Sequence, residues 1–158
     1  MKTGTRLYIN ITNRCNTTCP FCCMYSGESK STEMPFETYK QIIDETDGEF
    51  ELQLEGGEPL LNRNIYLFIE YAISTQRCKK VIVLSNGIVL KDNIKRLVEL
   101  HKWYNVPFEI KVSVNYWLLK VNKNHLQNIA DIVFATNYIP GFSIYLNTRK
   151  RKDDAWID

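Results

Sequence analysis

Cys15, Cys19 and Cys22 stand in the stretch CNTTCPFC at residues 15–22, with C-x3-C-x2-C spacing. Three thiolates this close can hold three corners of an iron–sulfur cubane, and nothing nearby offers a fourth. A structural zinc ion asks for four protein ligands, generally as two pairs, and the sequence shows no second pair. Iron–sulfur ligation with one iron left open accounts best for the count of three, and an open iron is a binding site for something else. Cys23 adjoins the trio, but a vicinal pair cannot easily reach two corners of one cubane, so it reads as a bystander. Cys78, expected near the end of a second helix, reads as a small buried hydrophobe. His101 and His125 are expected in or beside helices on the far side of the fold, as surface or boundary residues rather than ligands.

The loop that carries the thiols follows the strand-like run RLYINIT (6–12) and contains the turn formers Asn13, Asn16 and Pro20. Four more such runs come after it: FELQLEG (50–56), KVIVLSN (80–86), FEIKVSVN (108–115) and FSIYLNT (142–148). Between them the apolar residues recur at helical spacing. Phe36, Tyr39, Ile42 and Ile43 mark a first helix over 36–46, and Ile65, Phe68, Ile69, Ala72 and Ile73 a second. Ile94, Leu97 and Val98 mark a third, and Leu126, Ile129, Ala130 and Val133 a fourth. Alternating units of this kind predict an α/β fold with a parallel sheet and right-handed crossovers.

Four of the five strands alternate strictly, with Leu52 and Leu54 against Glu51, Gln53 and Glu55, for example. One face of the sheet should therefore pack on helices while the other, polar, lines a cavity. An antiparallel sheet with one solvated face is the other source of this period, but the long helical crossovers argue against hairpins. A closed barrel takes roughly 250 residues for eight units, about 30 per unit, so 158 residues provide for about five. The expectation is a parallel-stranded, open partial (β/α) barrel.

Along these strand ends the sequence resembles the radical S-adenosylmethionine (SAM) superfamily. CNTTCPFC is similar to the family's cluster-binding motif, and Phe21 to the aromatic residue whose backbone lies near the adenine. Gly56, Gly57, Glu58 and Pro59 (GGEP) fall where the family recognises the methionine amino group of SAM. Two glycines would let the backbone approach a ligand closely, and a carboxylate at a strand end suits an ammonium group. Ser85 and Asn86 match a polar stop at the third strand end, and Ser113 and Asn115 the ribose-contacting residues of the fourth. The resemblance implies a [4Fe-4S] cluster on Cys15, Cys19 and Cys22, SAM as cofactor, and an electron donor such as flavodoxin or ferredoxin. It also implies reductive cleavage of SAM to a 5′-deoxyadenosyl radical that abstracts hydrogen from a substrate. Asn10, Gln53, Glu55, Ser143 and Asn147, on the polar face, are the candidates for binding that substrate. The segment STEMPFETYKQIID (31–44) is similar to peptide- and protein-modifying members and tilts the substrate towards a polypeptide. A small glycyl-radical activase, a non-catalytic iron–sulfur electron carrier or regulatory subunit, and a zinc-stabilised interaction domain are the alternatives.

Composition excludes more than it selects. The 20 basic and 18 acidic residues are interleaved, so the net charge of +2 points to no nucleic-acid partner. Arg149–Lys152 is basic but lacks interleaved aromatics and is followed by Asp153 and Asp154, as in a solvated helix start. No run approaches the roughly 18 apolar residues of a membrane span, and the N-terminus lacks a signal-peptide core, so a cytoplasmic protein without membrane contact is expected. Five cysteines, an odd number, make a poor secreted disulfide framework. The chain is expected to form a single core domain over 1–158 that lacks the usual sixth βα unit, with RKRKDDAWID beginning a further helix, and a partner could complete the barrel.

Overall fold

The computed structural model describes residues 4–149. Five strands, β1 (Thr5–Asn10), β2 (Phe50–Glu55), β3 (Cys78–Ser85), β4 (Phe108–Asn115) and β5 (Phe142–Arg149), pair in parallel in the order β1-β2-β3-β4-β5. The crossovers are α1 (Phe36–Glu45), α2 (Ile65–Ser74) and α3 (Leu90–Tyr104), then α4 (Tyr116–Val121) and α5 (His125–Thr136) together between β4 and β5. Edges β1 and β5 do not pair with each other, so the barrel is open as expected. The helix expected at Arg149–Asp158 lies outside the described residues, save for Arg149, which ends β5.

The apolar strand face does bury against the helices. Leu52, Leu54, Val81, Val83, Ile110 and Val112 are fully buried, and β3, the central strand, is the one whose apolar run is continuous through Ile82. Tyr39 of α1 stacks on Phe68 of α2 with ring centroids 4.3 Å apart, and its hydroxyl donates to the Phe68 carbonyl at 2.8 Å. Truncating Phe68 to Ala would cost about 3–5 kcal/mol at such a site.

Two sequence expectations fail here. The buried face of α5 is His125, Ile129, Ile132 and Thr136, while Leu126 and Val133 are exposed; the helix is turned about one residue from the face its aliphatic residues suggested. The histidines are the second correction, because both are buried. His101 lies between Phe108 and Phe142, with its ring nitrogens 2.8 and 2.9 Å from the carbonyls of Val106 and Pro140. His125 bonds the Ser113 carbonyl at 2.8 Å, and its ring lies where a side chain at residue 87 would go, which glycine permits. Backbone carbonyls inside the fold take both ring nitrogens of His101 and the Nε2 of His125, while the buried His125 Nδ1 has no partner among the described residues. Cys78 is buried as expected, but it opens β3 rather than ending α2. Burial pushes its thiol up to about 11.

The opposite, concave face is polar, and its lower part is closed by ion pairs. Arg6 pairs with Glu51 at 2.6 Å, Lys80 reaches Glu51 and Glu109 at 3.6 and 3.5 Å, and Lys111 reaches Glu109 at 3.7 Å. Burial works against ionisation of Glu51, yet the Arg6 hydrogen bond and the Lys80 charge hold it below the usual carboxylate range. Opposite charges therefore run side by side across four strands beneath the strand-end cavity.

Candidate active site

The cysteine loop is closed on itself before it meets anything else. Thr12 bridges Glu33 and Arg14 bridges Gly27, and the Cys15 N–H donates to the Gly27 carbonyl at 3.2 Å. Asn13 accepts from the Thr32 N–H at 2.9 Å, which anchors the far arm of the loop. A tight turn, with the Cys22 N–H on the Cys19 carbonyl at 3.1 Å, brings the last two thiols together. All five cysteines of the chain are free thiols.

Gly56 and Gly57 hold this loop against the end of β2. The N–H groups of Gly57 and Glu58 donate to the carbonyls of Thr12 and Arg14 at 2.8 and 2.9 Å. A Cβ at either glycine would lie 2.2–2.3 Å from those same carbonyl oxygens, and Gly56 adopts φ +148. The space that the glycines leave open on this side is thus filled by the chain's own backbone. Both glycines still line the cavity.

Glu58 is fully buried and faces the end of β3, not the cavity. Its carboxylate accepts from the Asn86 N–H at 2.7 Å, the Leu60 N–H at 3.2 Å and the Ser85 hydroxyl at 3.0 Å. Burial pushes its carboxyl up to about 7, against the pull of these donors. Pro59 is buried too and opens a short 3-10 turn, Pro59–Leu61, which Glu58 caps. The carboxylate therefore ties the ends of β2 and β3 together.

The cavity above these ends measures about 240 Å³. Cys15, Cys19, Phe21 and Cys22 form one wall; Gly56, Gly57, Ser85 and Asn86 form another, and Ser113, Asn115, Asn147 and Arg149 close it. Arg149 is the one charged side chain on the wall among the described residues, and it lies 4.4 Å over the Phe21 ring. That contact joins the loop after β1 to the end of β5 across the cavity. The Asn115 side chain is turned to cap α4, accepting from the Leu118 N–H at 3.0 Å. Cys23 also reaches the wall and is exposed.

Of the five substrate candidates, only Asn147 lines this cavity. Asn10 faces a separate shallow groove with Glu33 and Met34. Gln53 and Glu55 are bonded to each other on the concave face, and Ser143 lies level with Glu109 of the charged floor. Sequence reasoning missed α4 and two residues it brings to the site. Trp117 donates to the Thr17 hydroxyl at 2.7 Å, and Thr17 in turn hydrogen-bonds Cys19. Tyr116 packs against Phe21 at 5.6 Å. The available signal was Asn115 itself, a strong helix N-cap directly after a strand.

The donor set fits a cluster. Three free thiols, Cys15, Cys19 and Cys22, share one wall of the cavity. A multi-iron cluster takes its thiolates on separate irons. Burial raises the Cys15 and Cys19 thiols, and Cys19 also feels the charges of Cys15 and Cys22. A cationic cluster offsets that cost by deprotonating them. The Asn16 amide nitrogen, in the same loop, is a buried donor without an acceptor, which cluster sulfide would supply.

A family model described as the radical SAM superfamily matches residues 9–112. An uncharacterised protein of Methanocaldococcus jannaschii is 29% identical over 122 residues, 73% of this chain and 40% of that protein. A GTP 3′,8-cyclase of Synechocystis sp. is 31% identical over 153 residues, 90% of this chain and 44% of that protein. The chain thus spans less than half the length of these curated relatives. A solved structure, native anSMEcpe with bound AdoMet and Kp18Cys peptide, is 17% identical with a TM-score of 0.44, covering 90% of this chain and 51% of that one.

Proposed function

Since the chain belongs to the radical SAM superfamily, whose members use a [4Fe-4S] cluster and SAM, we propose that it is the catalytic core of such an enzyme, with the cluster on Cys15, Cys19 and Cys22. The observation that carries this reading is the placement of three free thiols on one wall of a cavity whose other walls are the ends of β2, β3 and β4. When bound, the cluster supplies one electron to SAM, whose cleavage yields methionine and the 5′-deoxyadenosyl radical that takes hydrogen from the substrate.

The residues of this chain bind, orient and shield. Gly56 and Gly57 present backbone at the cavity wall for the methionine end of SAM, while Ser113 and Asn147 offer side chains to its ribose or to the substrate. Glu58 and Pro59 act from behind, by fixing the strand ends, so the carboxylate supports the SAM site rather than touching the ammonium group. Phe21, clamped between Arg149 and Tyr116, and Leu118 exclude water from the radical's path. No helix among the described residues is long and apolar enough to cross a membrane.

For the substrate, the similarity to a GTP 3′,8-cyclase across 153 residues favours a purine nucleotide, and the cationic Arg149 on the cavity wall suits its phosphates. The 31–44 segment favours a polypeptide. The test is 5′-deoxyadenosine formation by anaerobically reconstituted protein given SAM and a strong reductant, with GTP or a peptide library added in separate arms. Product above a Cys19→Ala control is expected, and stimulation by one arm chooses the substrate class. A protein that binds stoichiometric zinc and no sulfide would sink the proposal, and a cluster whose spectrum ignores SAM would reduce it to an electron carrier.

A further inference from the structure

Asn86 has contacts that neither SAM binding nor strand-end packing requires. Its side-chain oxygen accepts from the Ile88 N–H at 3.0 Å, and a backbone N–H can only donate, so the orientation of the amide is settled by its partner. The amide nitrogen must then point the other way, into the cysteine loop. It lies 2.7 Å from the Asn16 side-chain oxygen and 3.5 Å from the Cys15 sulfur. An amide nitrogen carries two hydrogens, and each has one of these acceptors. The backbone of Asn86 is fixed as firmly, because its N–H donates to the buried Glu58 carboxylate at 2.7 Å.

We propose that Asn86 is a positioning residue for electron transfer: its side-chain N–H donates to the Cys15 thiolate and so sets how readily the cluster held by Cys15, Cys19 and Cys22 accepts an electron. The inference rests on the cluster assignment proposed above. As a thiol, Cys15 can itself donate to Asn16, at 4.0 Å; as a thiolate ligand it can only accept, and Asn86 then supplies the hydrogen. Adding an electron makes the cluster and its sulfur ligands more negative. A hydrogen bond to ligand sulfur therefore stabilises the reduced form more than the oxidised form and raises the potential. The Gly56–Gly57 and Glu58 contacts hold the cysteine loop and the end of β3 in one frame, so donor and sulfur keep their separation. Residues 86 and 15 are 71 apart in sequence, and only the fold brings them together.

The test is an anaerobic redox titration of the reconstituted protein, followed by the electron paramagnetic resonance signal of the reduced cluster. Asn86→Ala should leave iron and sulfide content unchanged and lower the ratio of reduced to oxidised cluster at fixed potential about tenfold, which for one electron is about 59 mV. Asn86→Asp, which retains an acceptor for Ile88 but turns an anionic oxygen to Cys15, should shift it further in the same direction. An unchanged potential at full cluster content overturns the proposal. Should either variant lose the cluster, wild-type protein labelled with 15N-asparagine decides. A side-chain nitrogen coupled to the reduced cluster in pulsed resonance, and still coupled in Asn16→Asp, which removes the loop's other asparagine nitrogen but keeps the acceptor for Asn86, supports the bond, and its absence overturns it. Wild-type protein that takes up no cluster would instead overturn the assignment of function and this inference with it.

Discussion

The floor and the mouth of the concave sheet face use similar residue types to opposite ends. On the floor, Arg6, Glu51, Lys80, Glu109 and Lys111 each have an opposite charge within reach on a neighbouring strand or rung, so the layer is satisfied by itself. At the mouth, polar groups are turned to the cavity or to the cysteine loop, and some are left over. Among the described residues, the Arg149 guanidinium has only the Phe21 ring, and the Asn16 amide nitrogen has no acceptor. Polar groups that close a fold pair with each other, while those that serve a ligand wait for it. The mouth should therefore yield losses of binding with intact stability, and the floor small losses of stability with intact binding.

The sharpest check lies in the thiols. Cys19→Ala should abolish cluster uptake, read as iron and acid-labile sulfide, yet leave the apo chain's thermal midpoint within a degree or two. Glu58→Ala should break the pattern, because this mouth residue is structural. It strips the acceptor from the buried Leu60 N–H, the part-buried Asn86 N–H and the Ser85 hydroxyl, and costs on the order of 3 kcal/mol by denaturant titration. The pH dependence has a definite sign. Burial pushes the folded carboxyl up to about 7 from an ordinary 4.5, so the native state holds its proton more tightly than the unfolded chain. The stabilisation from that proton is fully present below about 4.5 and is lost as pH rises through about 7, on the order of 3 kcal/mol in all. The stability gap between wild type and Glu58→Ala should accordingly narrow between those two pH values, and a gap that widens would refute the assignment.

The periodicity of the chain made all five strands and four of the five helices legible, because apolar faces at period two and 3.6 are what a sheet packed on helices requires. Spacing also made the cysteine wall legible. What sequence could not separate was which partner a motif serves. GGEP read as a ligand-approach motif, yet the glycine gaps are filled by the backbone of residues 12 and 14, and its carboxylate faces another strand. The aliphatic stripe of α5 pointed outward because buried His125 and Thr136, each bonded to a backbone carbonyl, took the core positions. Six-residue α4 is too short for a periodic signal, so Trp117 and its bond to Thr17 stayed hidden. The inner face showed only alternation; that its floor would be consumed by ion pairs depends on strand register, which pairs Glu51 with Lys80 across a shift between Phe50 and Glu51.

Two smaller effects test the comparison from both sides. Asn147 lines the mouth and is exposed, so Asn147→Ala should weaken binding of SAM or substrate several-fold, about 1 kcal/mol, at unchanged stability. Lys80→Met addresses the floor. Methionine keeps most of the aliphatic stem but loses the contacts to Glu51 and Glu109, after which Glu51 still has Arg6 at 2.6 Å and Glu109 still has Lys111 at 3.7 Å. Neither carboxylate is stranded, and both pairs are partly solvated, so the cost should stay below about 1 kcal/mol and shrink further in high salt. Because the floor is closed, 5′-deoxyadenosine formation should not change. A several-fold fall in turnover with stability intact would mean that Lys80 reaches the substrate and that the charged layer is the bottom of the binding site rather than its seal.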